Sequence, residues 1–155
     1  MRRKLSILML GIAVMLASCS QSEEMLQTGH TDTVTFTASL ENGMSLRPAK
    51  TRGVTDPTDE TITRAVLEIY DAQDEPVGNR IEGIINGDEI SFTALLERGE
   101  SYTCLFWADG GEGTYDITDL KAIARGANPT IAYYAKEEIT ASDVALNVTL
   151  THAVA

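Results

Sequence analysis

The sequence predicts an all-β fold, an antiparallel β-sandwich with one short helical insertion. Residues 33–40 alternate polar and apolar side chains without exception, as a half-buried strand does. Asn86-Gly87 stands between two apolar segments, and this dipeptide is a strong signal for a two-residue hairpin. Further alternating segments recur along the chain with turn residues between them, whereas helix signals are few. Together these observations favour two packed sheets.

Each predicted strand is defined by its own pattern. In the first, residues 33–40, the apolar face consists of Val34, Phe36, Ala38 and Leu40. The next predicted strands are residues 62–70, 81–85, 90–96 and 101–108. The last of these is apolar on both faces at its far end, which is typical of a central strand. Residues 132–138 fit either a helix or a strand.

The end of the chain carries one more alternating segment, residues 144–154. A strand of this length normally leads into a turn or another strand. The segment therefore either closes the sheet or belongs to a chain that has been cut short, and we favour truncation.

Two segments interrupt the alternation. The connection between the first two strands contains three turn signals, Asn42-Gly43, Arg47-Pro48 and Asp56-Pro57, which predict a long exposed loop. Further along, Asp116 and Asp119 imitate a capping box, and Gly126 stands where a helix would end. We therefore predict a helix of about two turns between these positions.

The amino-terminal segment has the layout of a secretory signal. Arg2, Arg3 and Lys4 precede an apolar stretch, residues 5–17, that is shorter than the roughly 20 residues needed to span a bilayer. Leu-Ala-Ser-Cys at residues 16–19 resembles the lipobox of bacterial lipoproteins. That resemblance implies removal of residues 1–18 and acylation of Cys19, which would anchor the chain in the outer membrane. The alternative is an ordinary signal-peptidase cut, with Cys19 incidental.

The segment after Cys19 is predicted to be an acidic tether, residues 19–32, ahead of one domain, residues 33–155. Residues 20–24 resemble the serine and acidic tract that directs Bacteroidota lipoproteins to the outer face of the cell. A solvated linker of low hydrophobicity would have the same composition.

The charge of the mature chain excludes some partners. Removing residues 1–18 takes away three of the 12 basic residues and none of the 23 acidic ones, so the net charge becomes −14. Nucleic acid would repel such a chain, and no basic patch is expected to dock on anionic lipid.

No catalytic or metal site is predicted, and we expect neither a cofactor nor an enzyme. The two histidines, His30 and His152, are too few for a zinc cluster, and Cys104 reads as a buried small residue. The glycine-rich loop at 109–113 lacks the spacing of a phosphate or calcium loop. A loose calcium site there remains an alternative.

The order of these features resembles the amino-terminal domain of fimbrillin-like lipoproteins of Bacteroidota. The lipobox and tether are followed by TVTFTASL, a loop with AKTRGV, and a body with CLFWAD, YDITDLKAI and LTHAVA. The resemblance implies a transthyretin-like, Greek-key β-sandwich displayed at the cell surface or in a fimbrium. It also implies a non-enzymatic pilus subunit or pilus anchor whose partners are outer-membrane lipid, through acylated Cys19, and other pilin subunits.

In that family an arginine-specific protease cuts a loop after the first strand, and a strand of the next subunit fills the groove left behind. The resemblance implies that residues 33–40 are the displaced strand and that Arg52 and Arg47 are candidate cleavage sites. Arg52 is preferred because Arg47 precedes Pro48, whose ring and missing N–H fit a protease cleft poorly.

Two further expectations concern glycans. Asp32-Thr33-Val34 resembles the O-glycosylation motif of Bacteroidota, which implies Thr33 as the acceptor. The alternative function is a surface adhesin or glycan-binding lipoprotein outside any pilus, with a host or glycan surface as its partner. Its stacking platform would come from Trp107, Tyr102, Tyr115, Tyr133 and Tyr134.

Overall fold

The computed structural model describes residues 30–41, 61–142 and 145–153. The predicted signal peptide, Cys19, most of the tether, Arg47 and Arg52 lie outside the described residues. Within these ranges the chain is all-β, as predicted, and the strands are β1 (Thr31–Leu40), β2 (Arg64–Tyr70), β3 (Ile81–Glu82), β4 (Ile84–Asn86), β5 (Glu89–Glu97), β6 (Ser101–Asp109), β7 (Tyr115–Asp116), β8 (Ala124–Arg125), β9 (Ala132–Thr140) and β10 (Ala145–His152).

Eight of these strands form one sheet in the order β3-β2-β6-β9-β10-β1-β5-β4, and β7 pairs with β8. The sheet folds into two halves, β3-β2-β6-β9 and β10-β1-β5-β4, which pack face to face. They meet where Thr151 and His152 of β10 pair with Tyr134 and Tyr133 of β9. All pairings are antiparallel except that of β1 with β10, which is parallel. The purely antiparallel prediction is therefore wrong at this pair, because strands distant in sequence need no tight turn and can pair in either direction.

The main core lies between the two halves. The predicted apolar face of β1 is confirmed, since Val34, Phe36 and Ala38 are fully buried. The ring of Phe106 in β6 contacts two other rings edge to face, Phe36 at 5.3 Å and Phe92 at 5.5 Å between centroids. Aromatic pairs in this geometry add to the free energy of burial.

A second, smaller core covers the outer face of β2, β6 and β9. Its buried members are Val66, Trp107, Tyr115, Ile117, Leu120 and Ala132. The excursion of the chain from 110 to 131 supplies the cover, so β6 is buried on both faces and lies between β2 and β9. The prediction that β6 is a central strand is confirmed.

The predicted helix is wrong. Asp116 Oδ1 accepts hydrogen bonds from the backbone N of Thr118 at 3.0 Å and from its hydroxyl at 2.7 Å, and Asp119 Oδ1 accepts one from Lys121 N at 2.8 Å. Each carboxylate therefore closes its own turn two residues on, which competes with helix formation. Gly126 is needed for a close approach of two backbones, because a Cβ there would lie 2.2 Å from the carbonyl oxygen of Gly113.

The predicted strand at 81–85 is divided at Gly83. β3 pairs with β2 in one half, and β4 pairs with β5 in the other, so the chain crosses between the halves at this residue. A Cβ on Gly83 would lie 2.7 Å from Ile90 Cγ2, which explains why glycine stands at the crossing. The hairpin follows as predicted, but Asn86 pairs with Glu89, so its turn residues are Gly87 and Asp88.

Two segments left undecided or assigned to the tether by the sequence analysis form strands. Residues 132–138, which fitted either element, belong to β9. The first strand begins at Thr31, two residues earlier than predicted, so the last residues assigned to the tether are part of the sheet. The final strand ends at His152 within the described chain.

Candidate functional site

The first strand occupies an internal place in its half of the sheet. β1 pairs with β5 from Thr31 opposite Glu97 to Ala38 opposite Ile90. On its other side it pairs with β10 as far as Leu40 opposite Leu150. Without β1, the edges of β5 and β10 would face each other across roughly 10 Å, which is two strand spacings. Such edges present unpaired N–H and C=O groups that bind another strand.

The floor of this groove is the main core. Val34, Phe36 and Ala38 are fully buried, and Leu40 is 6% exposed. A strand in this place therefore inserts one side chain into the core at every second position. The pockets differ in size, because Phe36 reaches the ring of Phe106 whereas the pocket of Ala38 holds a methyl group.

The amino-terminal end of β1 is held by an ion pair that the sequence analysis missed. Arg98 Nε donates to Asp32 Oδ2 at 2.6 Å, and Arg98 Nη2 donates to Asp32 Oδ1 at 2.8 Å. The side chain of Asp32 is 1% exposed, and that of Arg98 is 52% exposed. The signal was available, since Asp32 stands two residues before Val34 and therefore on the inward face of the strand.

At the other end, β1 leads into the connection that holds the predicted cleavage sites. Glu41 Oε1 accepts a hydrogen bond from His152 N at 2.8 Å, which ties the end of β1 to β10. Arg47 and Arg52 themselves lie outside the described residues. Cleavage at either arginine stays a prediction.

Thr33 lies on the outer face of β1, opposite Leu95 of β5, and is exposed. Its side chain points away from the core, because it alternates with Asp32 and Val34. Glycosylation of Thr33 stays a prediction.

The aromatic platform predicted for glycan binding is largely buried. Trp107, Tyr102, Tyr115 and Tyr133 are all less than 10% exposed, and Tyr134 is 48% exposed. Trp107 is part of the second core, and its Nε1 donates a hydrogen bond to Asp109 at 2.7 Å. Four of the five rings therefore have no free face on which a sugar would stack, which disfavours this alternative.

The glycine-rich loop begins at Asp109, whose carboxylate is already fully used. The side chain is fully buried, and Arg64 Nε donates to its Oδ1 at 2.9 Å while Arg64 Nη2 donates to its Oδ2 at 2.5 Å. Trp107 and the backbone N of Gly111, at 2.8 Å, also donate to it. These donors fix the loop and leave this carboxylate poorly suited to calcium.

The surroundings of Cys104 and His152 indicate packing roles for both side chains. Cys104 is fully buried in the main core, and burial together with the negative charge of Glu137 raises the pKa of its thiol to about 12. His152 packs edge to face against Tyr133, with ring centroids 5.7 Å apart. Among the described residues no group of three or more His, Cys, Asp or Glu side chains is placed to bind a metal ion. In the same part of the chain no helix is long and apolar enough to cross a membrane.

Comparison with known proteins relates the chain to a sequence family and to a solved structure. A family model described as a family of unknown function, DUF6562, matches residues 26–155. No curated protein matches the chain. A fimbrial assembly protein from Parabacteroides distasonis ATCC 8503 is similar in structure, with 8% sequence identity and a TM-score of 0.34. The match covers 79% of this chain and 53% of that one, so the chain spans about half the length of the fimbrial protein.

Proposed function

We propose that this chain, which belongs to the DUF6562 family of unknown function, is a non-enzymatic surface lipoprotein that assembles by β-strand addition. In this proposal it is a fimbrillin-like pilus subunit or pilus anchor, held in the outer membrane through acylated Cys19. The observation that carries the proposal is the place of β1, an internal strand whose loss would open a groove into the core. The connection that follows this strand contains both Arg47 and Arg52.

Cleavage after Arg52 would leave β1 held by non-covalent contacts alone. Its inward side chains are all buried, and burying a Val, Leu or Phe side chain stabilises a fold by about 1.5–3 kcal/mol. Release of β1 without replacement is therefore unfavourable. An incoming strand with the same alternation restores both the backbone ladder and the buried side chains, so the exchange of one strand for another is close to neutral.

The position of the cut also separates the two roles. The lipid on Cys19 lies on the same side of Arg52 as β1, so a cleaved chain that loses β1 also loses its lipid. Such a chain is free to join a growing fibre as a subunit. A chain that is not cleaved keeps its lipid and stays at the membrane, which is the role of an anchor.

The proposal is tested with the chain from residue 20 onward, treated with an arginine-specific protease. We expect wild-type protein and the matched control Arg47→Ala to be cut after Arg52 and then to exchange the segment with β1 for an excess of added peptide with the sequence of residues 30–41, as measured by native mass spectrometry. Arg52→Ala should keep β1 in place and take up no peptide. The proposal fails if the cut protein does not exchange β1 for the peptide, or if Arg52→Ala takes up the peptide as well as wild type.

A further inference from the structure

We infer that the groove of β1 selects an acidic strand, and that Arg98 is the residue that recognises it. The partner is an extended peptide with a carboxylate two residues before the first of its buried apolar side chains. This inference rests on the proposed strand addition and names the chemistry of the strand that enters. It follows from the ion pair between Asp32 and Arg98.

Arg98 belongs to the groove and not to the strand that fills it. It lies in the turn between β5 and β6, and this turn has backbone bonds that are independent of β1. Gly99 N donates to Ala141 O at 2.9 Å, and Ala141 N donates to Glu100 O at 2.9 Å. When β1 leaves, the turn therefore stays in place and presents the guanidinium of Arg98 at the end of the groove.

The geometry of the pair favours a carboxylate over other groups. Two nitrogens of Arg98 donate to the two oxygens of Asp32 at 2.6 and 2.8 Å, which is the two-bond arrangement that arginine commonly forms with a carboxylate. The backbone N of Arg98 also donates to the carbonyl oxygen of His30 at 2.8 Å, so the strand is aligned by main chain and side chain together.

The local charge strengthens the discrimination. Arg98 is the cation of a turn that reads Glu97-Arg98-Gly99-Glu100. Without its positive charge, the two glutamates would repel an acidic residue at the end of the groove. Buried ion pairs add little net stability, because removing both charges from water offsets their attraction. Their effect on specificity is larger, because a strand with a neutral polar group in place of the carboxylate is also desolvated in the groove but gains no attraction to Arg98.

The remaining positions of the groove complete the pattern of the partner strand. Counted from the carboxylate, every second residue enters the core, and in β1 these residues are Val34, Phe36, Ala38 and Leu40. The partner strand therefore reads as an acidic residue followed by four inward positions of medium, large, small and large volume. Its outward residues contact solvent and are not selected by the core.

The test uses the chain cut only after Arg52, as verified by mass spectrometry, and a fluorescent peptide with the sequence of residues 30–41 that competes with the cleaved β1 for the groove. A second peptide carries Asp32→Asn, and both are measured by anisotropy against wild-type protein and Arg98→Gln. We expect the Asn peptide to bind wild type about tenfold more weakly than the Asp peptide, as for a charged two-bond contact that is partly exposed. On Arg98→Gln the preference for the Asp peptide should be lost or reversed, because Glu97 and Glu100 then repel its carboxylate.

A matched control separates this contact from a general effect of charge. Arg80 forms an ion pair with Glu68 in the other half of the sheet and does not touch β1. Arg80→Gln should therefore keep the tenfold preference for the Asp peptide. Far-ultraviolet circular dichroism of both variants checks that they are folded.

The outcomes are distinct for the two proposals. If both peptides bind wild type equally, or if the preference persists in Arg98→Gln, Arg98 does not select the strand and the inference is wrong, while strand addition stands. If neither peptide enters the cut protein, the groove does not accept a strand at all. That result overturns the proposed function as well as the inference.

Discussion

Phe36→Ala should be among the most destabilising single changes in the groove. The side chain is fully buried at the middle of β1, and its ring packs edge to face on Phe106 at 5.3 Å. Truncating a buried phenylalanine to alanine costs about 3–5 kcal/mol through lost transfer free energy and the cavity that remains. The edge-to-face contact places this site near the middle of that range, at about 4 kcal/mol.

Urea unfolding followed by circular dichroism measures this loss. With a slope of about 1.5 kcal/mol per molar urea, a loss of about 4 kcal/mol lowers the midpoint by about 2–3 M. Ser39→Ala is the matched control, since Ser39 lies in the same strand and is exposed on its outer face, where we expect a change within about 0.5 kcal/mol. A loss below about 1 kcal/mol for Phe36→Ala would refute the packing of β1 against the main core.

Two further predictions concern buried polar groups. Asp109→Asn keeps the shape of the side chain but removes the charge opposite Arg64, so we expect a loss of about 3 kcal/mol in urea unfolding. Lys136→Gln is its control, because Lys136 forms an exposed ion pair with Glu138, and we expect its loss to change the free energy of unfolding by less than about 0.5 kcal/mol. Equal effects of the two substitutions would contradict the buried role of Asp109. Because burial raises the pKa of Cys104 to about 12, its thiol should react with Ellman's reagent at pH 8 only as fast as the protein unfolds. The chain from residue 20 onward removes Cys19 from this assay, and rapid labelling in native buffer would show that the thiol is accessible.

The strands were predictable where their patterns are local. The alternation of β1 identified its buried face correctly, because successive side chains of a strand always point to opposite sides. The apolar character of β6 on both faces likewise predicted a central place, and the second core explains it. These predictions needed only the residues of the strand itself.

The helix and the hairpin crossing show where local patterns fail. Asp116 and Asp119 have the spacing of a capping box, but each closes a turn of its own. Whether this segment forms a helix or two turns depends on its packing against the outer face of β6, where Leu120 lies in the second core. Gly83 looked like part of one continuous strand, because nothing near it in sequence reveals that the chain passes directly over Ile90 at this point.

The sequence by itself determined the fold class and which side of β1 is buried, because both follow from the two-residue period of an extended backbone. Only the tertiary structure decided that β1 lies between β5 and β10, parallel to the latter. It also decided that Asp32 meets Arg98, 66 residues further along the chain. Such neighbours arise when sequence-distant strands pack around a common core, and the free energy of that packing is shared by residues that no local pattern connects.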